Sequence, residues 1–374
     1  MTDLAFWRGR RVVVTGHTGF KGAWLSLLLR HLGAEVTGYA LEPPSEPSLF
    51  DLARVAELVR DVRGDLRDLD CLYTTIDTAR PEVVFHLAAQ ALVRPSYDDP
   101  VGTFATNVQG TVHLLDAVRR TPGVRAVVVV TSDKCYENRE WIWPYREDEA
   151  MGGHDPYSAS KGCAELVTAA FRRSFFTDAD APRVASARAG NVVGGGDWGA
   201  DRLVPDLVRS IVSGTPLHLR SPGAVRPWQH VLEALAGYLL LAERLAGPDG
   251  APCAEGWNFG PSQDDARTVG WIVERMARRW RETTGNVVEH TRAEGPQPHE
   301  ASLLRLDATK ARSLLGWRPC LELGECIDWI VDWTHRWRAG DDPRAVTLEQ
   351  IERFLALDAS AGFESPNRTS EAKH

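Results

Sequence analysis

RVVVTGHTGFKG, running from Arg11 to Gly22, joins a short β-branched run to the first turn of a helical pattern through a set of glycines. The helical pattern continues from about Phe20 to Leu32, and a second strand pattern follows from about Glu35 to Leu41, so the stretch opens a βαβ unit. Glycine at positions 16, 19 and 22 permits a tight turn and close backbone approach. A helix starting there offers unpaired N–H groups to a pyrophosphate. Gly16, His17, Thr18, Gly19, Phe20 and Gly22 are therefore candidate dinucleotide contacts, the alternative being a merely structural strand-to-helix turn. Working outward, apolar runs recur at Val83 to Ala88, Ala126 to Thr131 and Val184 to Ala189, separated by helical stretches at Thr103 to Arg120 and Ser158 to Phe176. That alternation predicts an α/β fold with a doubly wound parallel Rossmann sheet. Beyond Gly194 the pattern loosens into segments rich in Gly, Pro and Trp, with helices at Leu203 to Ser213, Leu232 to Leu245 and Thr268 to Thr283, which reads as a smaller C-terminal lobe. The expected division is 1–190 for the Rossmann domain, 191–361 mainly for the lobe, and 362–374 as a frayed polar tail.

Composition bounds the partners. The 374 residues are 43% hydrophobic and 25% charged, with mean hydropathy -0.26, as in an ordinary globular chain. A net charge of -8 disfavours wholesale attraction to nucleic acid or anionic lipid. Only five of the 43 basic residues are lysine, namely Lys21, Lys134, Lys161, Lys310 and Lys373, so arginine abundance is a chain-wide habit and no sign of nucleic-acid binding. No window reaches 18 uninterrupted apolar residues, and the strand pattern begins too early for a signal segment. The six cysteines show no CxxC pair and no zinc-ligand spacing. A soluble protein of the reducing cytoplasm, without a metal site, is expected.

The chemistry is carried by Tyr157 and Lys161, a YxxxK pair that places phenol and ammonium one helical turn apart on one face. A nearby lysine cation favours the phenolate, which can take a hydroxyl proton as hydride leaves the same carbon. Ser132 stands at the end of the apolar strand before them.

That strand end, Thr131-Ser132-Asp133-Lys134-Cys135-Tyr136, resembles the Thr-Asp-Glu signature of the sugar-nucleotide 4,6-dehydratases, as the glycine loop resembles the TGxxGFxG loop of the extended short-chain dehydrogenase/reductase family. Lys134 departs from it, standing where many relatives carry Glu. The Ser-Asp-Lys version is similar to the branch acting on CDP-glucose, as are Phe6-Trp7, Glu140-Trp141-Ile142-Trp143, Met151-Gly152-Gly153 and Arg226-Pro227-Trp228-Gln229-His230. The resemblance implies a nucleotide-sugar substrate and a bound NAD, with NADP left open. The position where relatives hold the ribose with Asp is Ala40; Glu42 follows, with no Arg beside it in sequence. It further implies cofactor contacts at Asp65, Leu66, Ala88, Ala89, Gln90 and Asn107, and substrate contacts at Ser132, Asn191, Arg202, Arg226 and His299. The bland reading of Asp65 is a turn residue, and that of Asn107 a buried amide satisfied by backbone. The helices Thr103 to Arg120 and Ser158 to Phe176 have apolar faces that match those forming a four-helix dimer interface in the family, which implies a homodimer or higher homo-oligomer; the sequence alone equally allows these faces to pack within one chain.

The implied reaction dehydrates a nucleotide-activated glucose to its 4-keto-6-deoxy form. Tyr157, with Lys161 and Ser132, oxidises C4; a base removes the C5 proton; Asp133, kept protonated by burial, releases the C6 hydroxyl as water; and the nicotinamide returns its hydride to C6. Lys134 serves as the C5 base only when neutral; otherwise it anchors Asp133 or the substrate, leaving Tyr157 or another group as base. The alternatives are a nucleotide-sugar 4-epimerase or reductase, which needs no acid at C6, and a non-catalytic dinucleotide sensor or scaffold. Trp141, Trp143, Trp198, Trp228 and Trp257 lie near the site segments in sequence and either stack on ligand or fill the core. The choice of CDP rests on the resemblance alone.

Overall fold

The computed structural model describes residues 3–292 and 302–361. Its strands are β1 (Arg11–Thr15), β2 (Glu35–Ala40), β3 (Arg60–Arg63), β4 (Val83–His86), β5 (Ala126–Val130), β6 (Arg183–Ala189), β7 (Asn191–Val193), β8 (Leu217–Leu219), β9 (Val225–His230), β10 (Gly256–Phe259), β11 (Ala266–Thr268) and β12 (His290–Arg292). Seven of them form one sheet in the order β10-β6-β5-β4-β1-β2-β3, parallel throughout. The apolar runs predicted from sequence are its central strands, buried on both faces because helices cover both faces. Along β5, Val128 and Val130 belong to one core and Val127 and Val129 to the other, as the two-residue pleat requires.

The first core lies under helices Phe20–His31, Val231–Ala246 and Leu323–Ala339; the second lies under Leu69–Ala79, Gly110–Arg120 and Pro156–Ser174. Helix Val231–Ala246 is apolar nearly all round, with Leu235, Leu239 and Leu241 inaccessible to solvent. Burying each such leucine contributes about 1.5–3 kcal/mol, which anchors this helix in the sheet layers although it lies in the second half of the sequence. With it, β10 returns to the main sheet beside β6. The rest of the second half supplies two small sheets, β11-β9-β7 and β12-β8, beside the strand ends.

The chain reverses direction across the sheet at β1, which pairs with β2 on one side and β4 on the other. In open α/β sheets ligands bind outside the carboxyl ends of the strands at such a switch. The glycine loop follows β1 there, and Leu87 to Gln90 follow β4. Among the described residues no helix is long and apolar enough to cross a membrane.

Candidate active site

A cleft of about 860 Å³ opens at this switch point. The glycine loop makes one wall. Gly16 has φ +76°, and a Cβ there would lie 2.6 Å from the backbone N of Ala88; a Cβ on Gly22 would lie 2.0 Å from the carbonyl O of Gly16. Both close approaches demand glycine. Helix Phe20–His31 starts at Gly19 with no side-chain cap, which leaves its first N–H groups to a ligand. Gly16, Thr18, Gly19, Phe20, Gly22, Asp65, Leu66, Ala88, Ala89 and Gln90 all line the cleft, so the residues present fit a dinucleotide.

His17 does not join them. Its side chain is buried under β2, with Nε2 2.7 Å from Asp61 Oδ1, and it packs so closely that a Cβ on Gly38 would lie 2.2 Å from the ring. Burial holds it neutral by lowering its pKa, against the raising effect of Asp61. Asp65 faces the cleft, but its carboxylate is gripped by Arg67, whose Nη2 donates at 2.6 Å and whose backbone N donates at 2.8 Å, the turn role. Ala40 and Glu42 line the cleft where a ribose carboxylate was sought. In space an arginine does stand beside Glu42: Arg63 of β3 lies 3.3 Å from it and 2.9 Å from Asp61, so its charge is already compensated.

Asn107 lies behind the cleft, in a π-turn, Ala105–Gln109, that interrupts the helical run expected over Thr103 to Arg120. Its amide accepts from Gln90 N at 2.8 Å and donates to Gln90 O at 2.9 Å and to Ser160 Oγ at 2.8 Å. It therefore ties the loop after β4 to the helix that carries Tyr157 and Lys161.

That helix, Pro156–Ser174, starts with Asp155 accepting from Ser158 N at 2.9 Å and with proline in its first turn. Opposite it, Ser132 caps the short turn Asp133–Cys135 at the end of β5. Ser132 Oγ accepts from Lys134 N at 3.2 Å and donates to Asp133 Oδ1 at 3.0 Å. Ser132, Asp133, Lys134, Tyr157 and Lys161 share the cleft wall. Asp133 is 3% exposed, and its Oδ2 is buried without a hydrogen-bond partner. Burial pushes its carboxyl above the usual range, opposed by Lys134, Ser132, Arg226 and Lys21. The direction is the one that an acid in this place needs.

The expectation that Lys161 lowers the phenol does not hold. Burial pushes Tyr157 up to about 12, a hydrogen bond with Ser132 and the Arg202 charge opposing it. Lys161, itself lowered by burial to about 8, points its Nζ at Val130 O, 3.4 Å away.

Beneath these residues lies a buried ion pair that sequence reading passed over. Glu165, one turn beyond Lys161, accepts from Thr131 Oγ1 at 2.5 Å, Ser186 Oγ at 2.6 Å, and Nε and Nη2 of Arg188 at 2.9 Å each. Arg188 also donates to the Tyr136 hydroxyl at 2.7 Å and to Glu147 O at 3.0 Å. The pair locks helix Pro156–Ser174 to Thr131 and Tyr136, on either side of the Ser132–Cys135 turn. Spacing carried a signal for it, an acid four residues after Lys161 on the same helix face.

Asn191, Arg202 and Arg226 come from separate segments to the far side of the cleft. Arg202 lies 3.4 Å from Asp197, and the buried Arg226 donates to Val225 O at 2.9 Å. Trp198 and Trp228 line the wall. Trp257 is core, donating to Cys253 O at 2.8 Å, and Trp141 stacks on Tyr145. His299 lies outside the described residues.

Residues 13–329 match the family described as GDP-mannose 4,6 dehydratase. The chain belongs to that family. A CDP-glucose 4,6-dehydratase of Salmonella typhimurium is 50% identical over 95% of this chain and 99% of its own length. A UDP-glucose 4-epimerase of Mycolicibacterium smegmatis is 29% identical over 86% of this chain and 98% of its own. Among solved structures, the dTDP-glucose 4,6-dehydratase DesIV of Streptomyces venezuelae, with NAD bound, superimposes with a TM-score of 0.72 at 25% identity, covering 89% of this chain and 99% of that one.

Proposed function

We infer that the chain is an NAD-dependent lyase that converts CDP-glucose into CDP-4-keto-6-deoxyglucose with loss of one water. One observation carries the dehydratase reading over the epimerase reading: a buried carboxyl, Asp133, stands in the same cleft as the Tyr157 and Lys161 pair, with Lys134 next to it. An epimerase has no leaving group to protonate. The choice of CDP is supported by the 50% identity to the Salmonella enzyme.

Bound in the cleft, NAD supplies reversible hydride storage, so C4 can be oxidised and C6 reduced without an external reductant. Tyr157 takes the C4 hydroxyl proton, with Ser132 hydrogen-bonded to the phenol and Lys161 holding positive charge behind it. The resulting ketone acidifies the C5 proton. Lys134 removes it as the C5 base, and Asp133 gives its proton to the departing C6 hydroxyl. Asn191, Arg202 and Arg226 hold the nucleoside diphosphate by charge-assisted hydrogen bonds. In this reading 1–190 mainly serve the cofactor and 191–361 mainly the sugar nucleotide. Tyr97, Val101, Phe104 and Leu166 are exposed and are the apolar side chains that a homodimer would cover. The six cysteines are all free, in keeping with a reducing cytoplasm.

The test incubates purified protein and NAD with CDP-glucose, dTDP-glucose, UDP-glucose and GDP-mannose in parallel, each assayed by mass for loss of water. Loss from CDP-glucose alone is the expected result. Loss from another sugar nucleotide overturns the base assignment, and isomerisation without mass change overturns the dehydratase.

A further inference from the structure

Lysine is the rare cation of this chain, five against 43 basic residues in all, yet three of the five, Lys21, Lys134 and Lys161, line one cleft. Where arginine is the general-purpose cation, a retained lysine marks a place needing a compact ammonium or one able to lose its proton. Lys134 and Lys161 have such roles above. Lys21 has none. It follows Phe20 in the first turn of helix Phe20–His31, half-buried, with Nζ 5.9 Å from the centre of the Tyr238 ring. The charged groups that act on it are Arg202 and Lys161, which oppose its charge, and Asp133 and Asp197, which favour it. Asp133 lines the same cleft, its carboxyl drawn down by the charges of Lys134, Arg226 and Lys21, with Ser132 on Oδ1. Its second oxygen is buried with no hydrogen-bond donor.

We propose that Lys21 takes part in the elimination as the cation that stabilises Asp133 once that carboxyl has given up its proton. The proposal rests on the dehydratase reading. As the C5 proton leaves to the base, its bonding pair becomes the C5=C6 double bond and the C6–O bond breaks. The hydroxyl departs as water carrying the Asp133 proton, and a carboxylate remains in a buried place. Such an anion is strongly disfavoured without countercharge; Lys134, charged by the C5 proton it has taken, supplies part of it, and Lys21 is the further lysine whose charge acts on Asp133. Burial favours the acid form of Asp133 before the step, so the demand for positive charge grows as the proton leaves, and a cation already in place lowers the barrier by preorganisation. Burial and the opposing charges of Arg202 and Lys161 bring Lys21 down to about 7, so it carries its charge on the acid side of neutrality and sheds it on the basic side.

The test compares the parent, Lys21→Met and Lys21→Arg in water loss from CDP-glucose across pH 6 to 9, with NAD affinity measured separately by calorimetry. The expected result is that Lys21→Met lowers kcat at least about tenfold at pH 6.5, a loss of ~1.4 kcal/mol. Its NAD affinity and KM should stay within about twofold, and the gap to the parent should close above pH 8. Lys21→Arg retains the rate and holds it to higher pH. Loss of NAD affinity with kcat intact at saturating NAD overturns the proposal, since Lys21 would then hold the cofactor. An equal loss at every pH overturns it too. If Lys21→Met does not fold, an Arg variant whose pH profile matches the parent's refutes it alone. A parent that releases no water from any sugar nucleotide fails the dehydratase reading, a separate outcome.

Discussion

Replacing Glu165 with Gln removes one charge from a pair whose side chains are each 5% exposed. Burial alone would push the Glu165 carboxyl up, but the charge and hydrogen bonds of Arg188, with those of Ser186 and Thr131, more than offset it and hold the group ionised. In Glu165→Gln the Arg188 guanidinium stays buried without a counter-ion, and one amide oxygen replaces two acceptors that now take four hydrogen bonds. Breaking a buried pair by removing one partner costs about 3–5 kcal/mol. With an unfolding entropy of ~2.1 cal/mol/K per residue over the chain, that is a fall in Tm of about 4–6 °C. Scanning calorimetry measures it. A variant Glu165→Met with Arg188→Leu removes both charges and should melt above the single variant. Activity should fall mainly in kcat, because Thr131 precedes Ser132. Its basic limb should move to lower pH, because Glu165 is the leading charge that props up Lys161. A Glu165→Gln chain melting within about 1 °C of the parent would refute the argument, since a stranded buried charge cannot be that cheap.

Asp133→Asn should cut water loss from CDP-glucose by about 10²–10⁴, the contribution of a positioned general acid, while binding of the sugar nucleotide, read by calorimetry, persists. Gly22→Ala places a methyl 2.0 Å from Gly16 O and should weaken NAD binding at least roughly tenfold, ~1.4 kcal/mol, in the same instrument. Glu233 accepts from the backbone N of Cys320 and Leu321 at 2.8 and 2.7 Å, and burial raises its carboxyl from 4.5 to about 8. The folded chain therefore keeps a proton that the unfolded chain releases between these values, and stability falls as pH rises through that window. Glu233→Gln should flatten this slope and raise Tm at pH 8; an unchanged slope in melts from pH 5 to 8 would contradict the assignment.

The cofactor half of the molecule was readable because its signals are local: a β-branched run, glycines at a strand end, and helices capped by residues such as Asp155. Tyr157 and Lys161 were readable for the same reason. β3 was not, because Arg60–Arg63 is a polar edge strand of four residues without a periodic pattern. His17 misled because the loop spacing that selects its neighbours says nothing about which side chain turns under β2. Glu165 and Arg188 escaped because their significance is a contact between residues on different elements, and Lys21 escaped because it was read only as part of a glycine loop. The expected effect of Lys161 on Tyr157 failed for a physical reason: spacing places two groups together but does not report the desolvation that both suffer.

The late return of β10 to the sheet also shapes how the protein is made. Until Gly256–Phe259 leaves the ribosome, β6 is the edge of a parallel sheet, and its backbone groups beyond β5 have nothing to pair with. At ~5–20 residues per second the nascent chain spends several seconds in that state. An open, apolar strand edge invites pairing with another chain. Truncations between Ala189 and Gly256 should therefore yield aggregates rather than a free cofactor domain. The first half of the chain thus waits on the second for the last neighbour of its sheet.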